Sequence, residues 1–345
     1  MKSKSVNLAL QGGGAHGAFT WGVLDRLLDE DWLEFRAISG TSAGALNGAA
    51  LKAGLVRDGR AGARAALDEL WGQVSETADL RIKRYFPAQM PGTHALSRWF
   101  EAFTPAAFLD NVSRVFSPYD TGPFYVNPLR SVVEKFEYKH VCANAGPALY
   151  VAATNVRTGK VRVFEGEDIT VDSILASACL PEVFRAVEID DPKTGQREAY
   201  WDGGFTGNPP LFPLFSLNYP RDIVVVNVNP MVRDGVPKTP AQIEERINEI
   251  SFNSSLLREL RAVDFVRRLL AEERMPADAM KDVLIHMIGD DSVMTELSAI
   301  SKIIPEWGQL KRLKAAGQAA AESWLDAHAD KIGVTASTDL RALFD

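Results

Sequence analysis

Residues 35–55 read FRAISGTSAGALNGAALKAGL, and this stretch decides the fold. Phe35-Arg36-Ala37-Ile38 has the apolar, β-branched character of a strand, and Ala45 to Leu55 has the small-residue, helical spacing of a buried helix. Between them Gly40-Thr41-Ser42-Ala43-Gly44 fits the pattern G-x-S-x-G in the strand–turn–helix setting that the motif needs. A strand turning sharply into a helix holds its tip residue in a strained conformation with the side chain presented outward. Glycines at positions 40 and 44 remove the side chains that would collide there. A serine at the start of a helix also faces free N–H groups and the positive end of the helix dipole, which stabilise developing negative charge. Ser42 is therefore the candidate nucleophile.

Upstream, the apolar run 6–10 ends at Gln11-Gly12-Gly13-Gly14, and apolar residues then recur with helical spacing at Phe19, Val23, Leu24, Leu27 and Leu28. Strand, glycine turn, helix, repeated twice, predicts an α/β fold with a parallel sheet and crossover helices. Gly12, Gly14 and Gly17 also satisfy G-x-G-x-x-G, so a dinucleotide-binding fold is the rival. That fold needs a carboxylate at the end of the second strand to hold ribose hydroxyls, and the second strand here ends in Gly40-Thr41-Ser42. The favoured reading makes Gly12, Gly13 and Gly14 an oxyanion hole, their N–H groups open to a substrate oxygen because no side chain blocks the approach.

A serine nucleophile needs a base. His16, His94, His140, His286 and His328 are scattered and lack a triad context. Asp202 closes the strand-like Ala199-Tyr200-Trp201 and is followed by Gly203-Gly204, which leaves room around its carboxylate. An aspartate before glycines is commonly a turn residue; its company with two glycine loops raises it to the candidate base. The histidines have no metal-ligand spacing and the acids do not gather at a second site, so no metal is expected.

Further strands are expected at 148–154, 161–164, 199–201, 223–227 and 284–288, with the run IVVVN suited to a central parallel strand. Residues 80–125 are rich in aromatics interrupted by prolines. Two readings of this insertion stay open: rings packed on the sheet, or an apolar cover over a lipid-accepting cleft using Trp99, Phe100, Phe103 and Phe108. Beyond Pro240 a helix carries Ile243, Ile247, Ile250, Leu257, Leu260, Val263 and Leu270 near one face. Trp307 to Trp324 marks a closing helix. One domain results, with a catalytic core over 5–230 and a helical extension with one strand over 231–345.

The chain of 345 residues is 46% hydrophobic and 24% charged, the balance of a soluble globular protein. A net charge of −7 argues against nucleic acid, whose phosphates need a concentrated basic field, and leaves at most a local, transient contact with a membrane or lipid surface. Cys142 and Cys179 read as small hydrophobes in a reducing compartment. No run of about 20 apolar residues suggests a span, and the apolar start is too short for a signal peptide, so a cytoplasmic location is expected.

The three elements GGGxxG, GTSAG and DGG, in this order, resemble the patatin-like phospholipase family. Ala176-Ser177-Ala178-Cys179-Leu180-Pro181 and Asn208-Pro209-Pro210 are similar to further segments of that family. The resemblance implies a three-layer α/β fold with a mostly parallel central sheet, and a lipid acyl hydrolase that uses a Ser42–Asp202 dyad without a cofactor. Position 16, histidine here, is usually Arg or Lys in the family, so an arginine is expected to be tolerated there. A purely structural place, as the second residue of a helix, is the alternative. Because a dyad reads only the carbonyl, lysophospholipid, thioester and polyhydroxyalkanoate-type ester substrates stay open, as does a regulatory protein with weak hydrolysis.

Overall fold

A computed structural model describes residues 2–85, 117–120, 125–276, 279–297, 302 and 305–344. Trp99, Phe100, Phe103 and Phe108 lie outside the described residues. The sheet has eight strands: β1 (Lys4–Leu10), β2 (Leu33–Thr41), β3 (Ala148–Asn155), β4 (Val161–Glu165), β5 (Val187–Asp191), β6 (Gln196–Asp202), β7 (Asp222–Val226) and β8 (Leu284–Ile288). Their order is β5-β6-β3-β2-β1-β7-β8, with β4 paired to β3 off that path. The pairs β3–β2, β2–β1, β1–β7 and β7–β8 are parallel, while β4, β5 and β6 pair antiparallel.

The main helices are α1 (Ala18–Leu27), α2 (Ala43–Tyr85), α3 (Val171–Ser177), α4 (Pro240–Ala271) and α5 (Trp307–His328). Side-chain alternation along the central strands sorts them into layers. Leu8, Leu10, Val224 and Val226 join α1, α2 and α5 on one face, and Ala9, Ile223, Val225 and Ile285 join Leu256 and Leu260 of α4 on the other. The expected α/β three-layer arrangement is thus the observed one. The strand β5 escaped the sequence reading because VEIDD is short: its alternation rests on only two apolar residues, half-buried at the sheet edge.

The helix α2 is two rods in one run: Asp58 (φ −141°, ψ 27°) and Gly59 (φ 62°, ψ −146°) leave helical geometry. In α4 the expectation of one apolar face fails. Ile243, Ile247 and Ile250 are exposed, whereas Leu256, Leu260 and Val263 are buried. The inner face of the first half belongs instead to Glu249, whose carboxylate is ion-paired to Arg233 at 2.6 Å and Arg246 at 3.2 Å, and to Asn253. A polar network occupies the place that the isoleucines' spacing suggested for them.

Candidate active site

Strand register brings Ser42 and Asp202 together across more than 150 residues of chain. Thr41 of β2 pairs with Ala152 of β3, and the next residue of β3, Ala153, pairs with Asp202 of β6. The serine after Thr41 and the aspartate at the end of β6 therefore leave the sheet side by side. Both are buried, Ser42 at 7% exposure and Asp202 at 1%.

Ser42 has φ 55°, left-handed backbone that a side-chain-bearing residue adopts only under strain. Two features hold it there. Its N–H donates to Ser177 Oγ at 2.9 Å, and its carbonyl accepts the first helical bonds, from Ala45 and Leu46. The turn also needs bare backbone: a Cβ on Gly44 would stand 2.0 Å from the Leu10 carbonyl oxygen. The first glycine loop lies directly against the serine, since a Cβ on Gly12 would fall 2.7 Å from Ser42 Cβ.

That loop is clamped from several elements. Gly12 N–H donates to Asn208 Oδ1 at 2.7 Å, and the Gly12 carbonyl accepts from Asn229 Nδ2 at 2.7 Å. Gln11 Oε1 accepts from the N–H groups of Val228 and Asn229, and its amide donates to Asn253 on α4. Gly12 thus has its N–H committed. The N–H groups of Gly13 and Gly14 bind no acceptor among the described residues, and Ala43 opens α2, where N–H groups lack an intrahelical partner. Gly13, Gly14 and Ala43 are the donors available to an oxyanion.

Asp202 Oδ1 accepts the Gly204 N–H at 2.7 Å, while Oδ2 is buried with no hydrogen-bond partner among the described residues. Burial pushes its pKa up to about 7, against the opposing pull of the Gly204 N–H and the Ser42 side chain. Such a carboxylate holds a proton with useful strength near neutral pH, which is what a general base requires. Asp202 is fixed by its own N–H, donated to the Cys179 carbonyl at 2.8 Å, and by its carbonyl, which accepts from Thr154 Oγ1 at 2.8 Å.

A cavity of about 80 Å³ adjoins Ser42, lined by Leu46, Trp71, Val74, Leu180, Val183 and Phe184 among others, with Lys302 at its wall. Asn47 ties it together: its Oδ1 accepts from Trp71 Nε1 at 3.0 Å and its Nδ2 donates to the Gly17 and Ala43 carbonyls. His16 is 1% exposed, and burial, with Lys302 and Arg233 nearby, lowers its pKa to about 3. It is a neutral, buried imidazole. Lys302 and Arg233 nearby disfavour a further positive charge at this position, which bears on the expectation that an arginine would be tolerated there.

A Ser–His–Asp contact does exist elsewhere. His286 on β8 lies 3.0 Å from Asp222 Oδ1 through Nε2 and 3.0 Å from Ser337 Oγ through Nδ1. The imidazole is fully buried, its Nδ1 also accepts the Ser337 N–H, and Ser337 Oγ accepts from Trp324 Nε1. Each polar atom is used to pin the C-terminal segment to the sheet, so this cluster is a structural clamp. Among the described residues no group of three or more His, Cys, Asp or Glu side chains is placed to hold a metal.

The structure brings Ser42, Asp202 and the glycine loop, all named from the sequence, to one place, held by residues that the sequence reading did not name in that role. Ser177 and Asn208 stood in quoted segments, but nothing local marks a hydroxyl or amide as the partner of a backbone group far away in sequence. A family model described as patatin-like phospholipase matches residues 8–215. Among solved structures the chain is similar to VipD from Legionella pneumophila, at 14% identity and a TM-score of 0.42, covering 94% of this chain and 67% of that one. No curated protein matches the chain.

Proposed function

The chain belongs to the patatin-like phospholipase family, and on that premise we propose that it cleaves acyl esters of lipids with Ser42 as nucleophile and Asp202 as its base. The observation that carries this reading is a strained serine beside a buried carboxylate with one oxygen unpartnered and a pKa near 7. In the first step Asp202 takes the Ser42 proton as Oγ attacks the ester carbonyl. The negative oxygen that forms is bound by the N–H groups of Gly13, Gly14 and Ala43. Collapse of this intermediate expels the alcohol, which recovers the proton from Asp202, and leaves an acyl-serine. Water, deprotonated by the same carboxylate, then releases the acid and restores Ser42. The scheme uses no cofactor, and Lys302 at the cavity wall gives the site a positive charge for an anionic head group.

One observation favours a narrower substrate. The cavity is only about 80 Å³ and is walled by Trp71, Val74 and Phe184, so it takes a short acyl segment as it stands. Long chains must displace Trp71, Val74 or Phe184. The deciding experiment is a series of nitrophenyl esters from acetate to palmitate, run on wild type and Ser42→Ala, with fluorophosphonate labelling of separate samples of both. Ser42 is expected to carry the label and all turnover, with the fastest rates on short chains. Labelling elsewhere, with Ser42→Ala still active, would overturn the assignment.

A further inference from the structure

A second cleft, of about 710 Å³, opens at the opposite end of the sheet, where β2 and β3 begin. Its wall includes Leu33, Phe35, Arg36, Lys52, Cys142 and Tyr150. The volume lies in the range of small-molecule sites. The decisive residue is Lys52, on the first rod of α2. The residue is 4% exposed, its ammonium reaches the cleft, and among the described residues it makes no hydrogen bond or ion pair within 4.0 Å, while burial lowers its pKa. A cation held largely out of water is stabilised by an anion beside it. Here the titratable neighbour that acts on it is the Cys142 thiol, which is itself pushed up by burial and so stays neutral.

The remaining wall is polar without supplying the missing anion. Asn144 and Asn218 offer amides, and the Tyr150 and Tyr219 hydroxyls are bonded to each other at 2.8 Å. Arg60, also at the wall, spends its guanidinium on the Leu28 and Leu33 carbonyls. Glu34 and Glu165 line the cleft too, but neither approaches Lys52 within ion-pair distance. An ammonium at the wall amid hydroxyls and amides matches a small anion that also carries hydroxyl groups. We propose that the cleft at Lys52 is a binding site, separate from Ser42, for a small hydroxylated organic anion whose phosphate or carboxylate pairs with the Lys52 ammonium.

The test uses the full chain carrying Ser42→Ala, so that the outcome does not depend on the hydrolase reading. Glycerol 3-phosphate and glycerate are titrated by calorimetry against this protein and against the same protein with Lys52→Met. Lysine acetylation by acetic anhydride, read by mass spectrometry, is followed at Lys52 with and without each compound. The expected result is one equivalent of at least one compound bound, a loss of about tenfold or more in Lys52→Met, and selective protection of Lys52. Binding of glycerol 3-phosphate alone assigns a phosphate site, and binding of glycerate as well assigns a general anion site. Equal affinity in both proteins overturns the proposal, as does acetylation of Lys52 that neither compound slows. The acetylation readout stands even if Lys52→Met fails to fold.

Discussion

The two clefts lie at opposite ends of β2 and share one helix, yet their chemistry is opposed. The Ser42 cavity is small and mostly apolar, with Lys302 at its wall and the Asp202 carboxylate beside Ser42 kept near its neutral point by burial. The Lys52 cleft is almost ten times larger, polar, and marked by a lysine that has no carboxylate within ion-pair distance among the described residues. Only nine residues of α2 separate Ala43 from Lys52, about 14 Å along the axis. At the carboxyl ends of parallel strands turns and helix starts leave N–H groups free, so the backbone itself can bind an anion. At the amino ends those groups are absent and a side chain must provide the charge.

The largest effect that would break this contrast is at Ser42. Ser42→Ala is expected to remove ester turnover entirely; residual turnover near wild type, read with nitrophenyl butyrate, would shift the chemistry to another place.

Next comes Asp202→Asn, for which a rate loss of about 10²–10⁴-fold is expected, as for loss of a general base. Stability should move the other way. The folded pKa of Asp202 is raised to about 7, so between about pH 4 and pH 7 the unfolded chain releases a proton that the folded chain keeps, and stability falls as pH rises. The cost is absent below about pH 4 and complete above about pH 8, where Asp202→Asn should be more stable by up to about 4 kcal/mol. Urea melts of both proteins at pH 5 and pH 8 check the sign: the gap must widen with pH. Wild-type turnover should rise through about pH 7 as the carboxylate ionises.

The histidines sharpen the comparison further. His286→Gln should cost about 1–3 kcal/mol in a denaturant melt, by leaving Asp222 and Ser337 without their shared partner, while kcat stays near wild type. A collapse of kcat in folded His286→Gln would give the clamp a chemical role. His16→Gln is the smallest effect expected, a loss under about tenfold in kcat, less than any general base contributes. His16→Arg should lower the melting temperature, because it places a fixed charge beside Lys302 and Arg233 in a buried position.

Legibility in the sequence followed the range of the forces. GTSAG, GGG and DGG were readable because strand, turn and helix follow one another within a few residues, and a glycine required by a close approach is visible as a glycine. The central, parallel place of β7 was readable from its unbroken apolar run. The antiparallel strand β5 was hidden, since two apolar residues in alternation are too few to mark a strand. The exposed isoleucines of α4 misled because spacing shows that residues share a face, not which face is covered; Glu249 and its two arginines decide that through partners distant in sequence. Lys52 gave no signal at all, since a lysine in a small-residue helix looks the same whether its ammonium meets water, a carboxylate or an empty cleft.

The break at Asp58 and Gly59 has a mechanical side. Ser42 is joined to the rod before the break, and Trp71 and Val74 of the cavity wall ride on the rod after it. Trp71 stands twelve residues past Gly59, so the second rod is a lever arm of about 18 Å, and a turn of about 5° at the break would carry the indole roughly 1.6 Å. That indole bonds through Nε1 to Asn47 Oδ1 on the rod that carries Ser42, and the second rod is held to α1 by Trp21 Nε1 on Asp68 and by Arg64 on Asp25. The cavity wall is thereby kept against Ser42 by side-chain contacts across the break and not by an unbroken helix.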